Sequence, residues 1–178
     1  MLQPQALLLN KKNQKGGSLV EIVIVAGIIM SSLAAILGLA AFFLATSGQV
    51  QQTSQATALA QEAIESLRNY RDGTGWMDDN AGIEYDGLGV LNFSLAPFHL
   101  EQSTDTPPRW KMVSGAEIID GFTREIVFEY YERDATTYDI GPGFIDDETV
   151  DVLVRVSWQE RGRPHKVELV TILTNWNQ

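Results

Sequence analysis

Glu21 is the residue best placed to do chemistry, because it stands at the head of an apolar run, Ile22 to Ala45, that holds no charged residue. The run exceeds the roughly 20 apolar residues a helix needs to cross a bilayer. A lone carboxylate at its lip costs about 2.5–3.5 kcal/mol or more if carried into hydrocarbon, so it calls for a cationic partner. Just before it stand Gly16 and Gly17, and before them Lys11, Lys12 and Lys15. Other candidates are weaker. His99 and His165 lie in unrelated surroundings, and neither sits at metal-ligand spacing with another histidine. His165 follows Pro164 and is expected to be an exposed residue at a strand start. The absence of cysteine excludes a disulfide framework and a thiolate zinc site. Asp146, Asp147, Glu148 and Asp151 form the densest carboxylate cluster. They are weak candidates for calcium, since their spacing departs from a regular calcium loop and an acidic turn before a strand accounts for them. Asn92-Phe93-Ser94 matches a glycosylation acceptor, a tripeptide common by chance. No phosphate loop, nucleophile elbow or zinc-hydrolase motif is present, and nothing pairs a nucleophile with a base. The expectation is a protein that is not an enzyme and has no cofactor.

The elements that must position Glu21 follow from periodicity. Helical character continues beyond the apolar run, since Val50, Thr53, Ala56, Thr57, Ala60, Ala63, Ile64, Leu67 and Tyr70 recur at three- and four-residue steps. With no proline between residues 17 and 71, one helix of about 50 residues is expected, roughly 75–80 Å long. Asp72-Gly73 should end it, the glycine suiting a left-handed cap. Residues 73–118 carry recurrent Gly, Asp, Asn and Pro with little apolar pattern, and Gly89–Leu95 and Trp110–Val113 are the only weak strand candidates. In residues 119–178 the pattern is that of strands. Phe122, Ile126, Phe128 and Tyr130 share a face, on which Arg124 also falls. Val150, Val152, Val154, Val156 and Trp158 alternate with the opposite face of their strand, and Val167–Trp176 makes another, joined through Glu160-Arg161-Gly162-Arg163-Pro164. The expected fold class is α+β, a long helix laid on a small antiparallel sheet.

Residues 15–21, Lys-Gly-Gly-Ser-Leu-Val-Glu, resemble the processing site of type IV prepilins and pseudopilins. In that family a peptidase cuts after a glycine on the cytoplasmic side and methylates the new N-terminus, and the fifth mature residue is a glutamate. The resemblance implies cleavage between Gly16 and Gly17, N-methylation of Gly17, and a subunit-assembly role for Glu21. The family usually begins with Phe or Met where this chain has Gly17, and often has proline where this chain has Gly38. Residues 58–76, from Ala58 to Trp76, further resemble the helix end of minor pilins of the pilus modification type. The domains implied are a leader over 1–16, a transmembrane or filament-core helix over 17–46, its amphipathic continuation over 47–72, and an exposed domain over 73–178. That domain divides into a variable connection, 73–118, and an antiparallel sheet, 119–178.

The expected function is thus a minor pilin or pseudopilin of a type IV pilus or a type II secretion pseudopilus. Expected partners are other pilin or pseudopilin subunits, the prepilin peptidase, the inner-membrane assembly machinery and, before assembly, membrane lipid. The three lysines put the N-terminus in the cytoplasm and the later domain outside, at the cell surface or in the periplasm. From Gly17 onward the chain carries 10 basic against 23 acidic residues, a net −13 that disfavours direct nucleic-acid contact. Alternatives are a competence pseudopilin for DNA uptake and a single-pass anchored binding domain that never polymerises. A conventional signal peptide cut near Ala45-Thr46-Ser47 fits poorly, because its apolar region should be only about 7–15 residues long.

Overall fold

The computed structural model describes residues 17–80 and 82–176. The expected leader, Gly16 included, lies outside the described residues. The chain divides into two compact units, residues 1–48 and 49–178.

In the first unit the described residues form the opening part of helix α1 (Gly17–Gly73). Its large apolar side chains point outward, with Leu37 68% and Leu44 77% exposed. The most apolar 18-residue window has a mean hydropathy of 2.6 and none of it is buried, so the helix is long and apolar enough to cross a membrane. Three of its hydroxyls bond back to the helix itself. Ser31 and Ser32 both donate to the Ile28 carbonyl, at 2.9 and 2.8 Å, and Thr46 donates to that of Phe42 at 3.0 Å. Helix geometry runs unbroken through Gly27 and Gly38.

The second unit is helix on sheet. Here α1 buries Ala56, Ala60, Ala63, Leu67 and Tyr70, a stripe at alternating four- and three-residue steps. Burial begins later than the sequence pattern suggests, for Val50 and Thr53 are exposed. The cover supplied by the sheet ends near Gln52, whose side-chain oxygen accepts from Trp158 Nε1 at 3.1 Å. Nor does Gly73 form a left-handed cap. Among the described residues the glycines with positive φ are Gly115, Gly121 and Gly162.

Six strands follow: β1 (Phe98–Gln102), β2 (Trp110–Ser114), β3 (Glu117–Ile119), β4 (Phe122–Arg133), β5 (Phe144–Glu160) and β6 (Arg163–Thr174). They form one antiparallel sheet in the order β2-β1-β4-β5-β6, with β3 also paired to β4. The sheet is larger than its expected span of 119–178, because β1, β2 and most of β3 come from the connection. Gly89–Leu95 is not a strand; it holds a turn and a short 3₁₀ helix, Phe93–Leu95. Phe93 packs there against Phe128 and Tyr130, with ring centroids 5.4 and 4.3 Å apart. The inner face carries Phe122, Ile126, Phe128, Val150, Val152, Val154, Val156 and Trp158, all buried. Two hairpins turn on residue pairs with positive φ, Asp120-Gly121 and Arg161-Gly162, the geometry that matches strand twist.

The stretch from Gly75 to Leu91 plugs the remaining inner surface. Gly87 N donates to Asp78 O at 2.7 Å and Gly89 N to Trp76 O at 2.9 Å, so the chain folds closely onto itself. A Cβ on Gly87 would run into the carbonyl oxygens of Gly75 and Trp76, which makes glycine obligatory there. Trp76 Nε1 then donates to Asp147 O at 2.8 Å, tying the plug to β5.

Candidate functional site

Glu21 lies on the exposed surface of α1, flanked by Ile22, Val25, Ala26 and Ile29. No further charged residue occurs before Glu62, and the first cation after Gly17 is Arg68. The helical segment that bears the carboxylate therefore contains no side chain able to neutralise it. A counter-charge in hydrocarbon would have to come from outside residues 17–67. Gly17 is the first helical residue described, and Gly16 lies outside the described residues.

The acidic cluster is dispersed by β5 itself. The pairing of β4 with β5 shifts register between Tyr130, opposite Val150, and Tyr131, opposite Asp146, so residues 147–149 bulge out. Asp146 is buried and bound to Arg133 Nε at 2.6 Å, while its other oxygen accepts from Glu148 N at 3.0 Å. Burial by itself would raise this carboxyl. The hydrogen bonds from Thr149, Arg133 and the Glu148 amide outweigh it and hold the pKa below the usual carboxylate range. Asp147 is exposed and Asp151 faces Glu129 across the strands. Among the described residues no group of three or more His, Asp or Glu gathers as a metal ion needs. Asp146 thus has both oxygens engaged within the protein, by Arg133 and by the Glu148 amide.

The histidines are structural too. His99 is buried in β1, with Nδ1 2.8 Å from Gly115 O and Nε2 3.2 Å from Glu101. His165 is not the exposed residue expected; its ring stacks on Trp158 at 5.5 Å and covers it.

Arg124, which sequence reasoning left unexplained on an apolar face, proves to be a clamp between helix and sheet. It is 6% exposed, donates to the Leu59 carbonyl of α1 at 3.0 Å and pairs with Glu117 at 2.6 Å. A cation at an inward position of a strand was the signal. Outside the core, Arg155 bridges Glu125 and Glu168 across three strands at 2.6 and 2.7 Å.

Comparison with protein-family models, with curated proteins and with solved structures yields no match.

Proposed function

We propose that this protein is a minor pilin or pseudopilin subunit, processed after Gly16, methylated on Gly17 and assembled through its N-terminal helix. The observation that carries the reading is Glu21, a carboxylate on an outward-facing apolar helix with no cation from Gly17 to Leu67. Cleavage after Gly16 would create an α-amine four residues away along the chain. Pairing Glu21 of one copy with the Gly17 amine of its neighbour would remove the cost of a lone carboxylate and set the axial register of stacked copies. The exposed apolar helix supports the same reading: it would hold the subunit in lipid before assembly and become filament core afterwards. The acidic helix-on-sheet unit would be displayed outside the membrane as the exposed part of the subunit. Its net charge favours a pilus or secretion pseudopilus over direct DNA handling.

The test is the intact mass and N-terminal sequence of protein extracted from membranes, with and without the prepilin peptidase. A mature start at methylated Gly17 is expected when the peptidase is present. An uncut chain would replace the reading with an anchored domain that does not polymerise.

A further inference from the structure

From Gly17 onward the chain has ten basic residues, and nearly all are engaged. Arg68, Arg71, Lys111, Arg124, Arg133, Arg155 and Lys166 each meet a carboxylate. Arg109 lies over the Tyr85 ring, its guanidinium 4.6 Å from the centroid. Among the described residues only Arg161 and Arg163 lack a partner, and both are exposed on the β5–β6 turn, with Lys166, 60% exposed, beside them. The nearby carboxylates are taken or few. Glu160 lies 3.9 Å from His165, Glu168 pairs with Arg155 and Lys166, and Asp120 stands in the neighbouring β3–β4 turn.

Arg161 also sits in a left-handed conformation, φ 50, that favours Gly, Asn or Asp. The β3–β4 turn meets the same demand with Asp120-Gly121. The β5–β6 turn instead places an arginine where local conformation disfavours one, so the fold of the turn does not account for its charge.

The position of this turn is the second observation. Trp158, on which His165 stacks, bonds to Gln52, close to where the chain enters the unit at Gln49. The tips of both hairpins therefore lie at the end of the unit from which the apolar segment departs. We propose that the β5–β6 turn docks on anionic phospholipid headgroups of the bilayer that holds residues 17–46, with Arg161 and Arg163 contacting phosphate and Lys166 assisting. On a domain of strong negative charge, which such a membrane repels as a whole, two unpaired guanidiniums at this end would orient the unit on the surface before assembly. The inference rests on the membrane reading of residues 17–46.

The sequence holds no cysteine, so a fluorophore can be placed by Gln159→Cys alone, with Ala135→Cys in the turn just beyond the far end of β4 as control. The protein, with residues 17–46 retained, is reconstituted in phosphatidylcholine vesicles with and without phosphatidylglycerol, and quenching by headgroup-nitroxide lipid is read. Quenching at residue 159 should rise with phosphatidylglycerol, stay low at residue 135, and fall with salt as the screening length drops below about 10 Å. Arg161→Gln with Arg163→Gln should lower the docked-to-free ratio about five-fold per residue replaced. The salt titration on the unmutated turn makes the same test without altering the fold. Equal quenching in both vesicle types, with the protein still floating with the lipid, overturns the headgroup contact and leaves the membrane reading standing. Quenching in neutral vesicles that grows with protein-to-lipid ratio assigns the turn to a neighbouring copy and also overturns it. Failure to float at all removes the membrane reading, and this inference with it.

Discussion

Within the single helix α1, one stretch exposes Leu, Ile and Phe while another hides alanine. Leu37 and Phe42 are 68% and 66% exposed, whereas Ala56 and Ala60 are fully buried. Hydrophobicity alone would reverse that order. What separates the stretches is the partner each meets within the chain. From Ala56 onward small side chains let the helix lie close on the sheet, and Leu67 and Tyr70 fill the space toward its end. Among the described residues of its own unit the earlier stretch has no such partner, and its bulky surface suits lipid or other helices. Against the buried stretch Arg124 is the exception, a cation tolerated because a helix carbonyl and a carboxylate converge on it.

The contrast can be broken in four ways. Removing the one carboxylate of the exposed stretch should have the largest effect. On the proposed subunit reading, Glu21→Ala should leave membrane insertion intact and cut recovery in sheared filaments more than about ten-fold, since a missing register pair of even 1.4 kcal/mol would recur at every subunit. Normal incorporation, read by immunoblot, would remove that role for Glu21. Second, Leu67→Ala should lower the unfolding free energy of the helix-on-sheet unit by about 2–5 kcal/mol, while Leu37→Ala should change it by under about 0.5. Denaturant titration of both variants in detergent measures the difference, and equal losses would show that the two stretches are not distinct. Third, Arg124→Ala should cost about 2–3 kcal/mol by leaving Glu117 and the Leu59 carbonyl without their donor. Thermal unfolding reports it, and Glu117→Gln should cost less.

The smallest effect sharpens the picture inside the sheet. The folded-state pKa of Asp146 is depressed, so its contribution to stability is present above the ordinary carboxylate pKa and is lost as pH falls through the folded value. Asp146→Asn should lower stability near neutrality and flatten its decline between about pH 5 and pH 3. A variant with the same acid sensitivity as the parent would mean that Arg133 does not hold this carboxyl ionised.

Legibility varied along the chain for physical reasons. Strands β5 and β6 were plain, because alternating Val and Leu with period two records a half-buried surface. Strand β1 was invisible. Phe98, His99 and Leu100 are all buried in succession, so no alternation survives, and a strand of five residues offers little else. The plug from Gly75 to Leu91 was unreadable for a similar reason, since it is held by Gly87 and by Trp76 reaching Asp147 across a long sequence separation. The acidic run reads as neighbours in the sequence, whereas the bulge in β5 leaves Asp146 buried and Asp147 exposed.

By itself the sequence determined the apolar helix, the isolation of Glu21 and the period of the last strands. These depend on neighbours within a turn or a pleat, and the chain writes such neighbours in order. Only the tertiary structure decided that burial on α1 starts at Ala56, that Arg124 clamps helix to sheet, that Asp146 belongs to Arg133 and that Arg161 and Arg163 stay unpaired. These turn on residues from different elements, 13 positions apart for Arg133 and Asp146 and 65 for Leu59 and Arg124, whose meeting is set by which surfaces the folded unit can bury together.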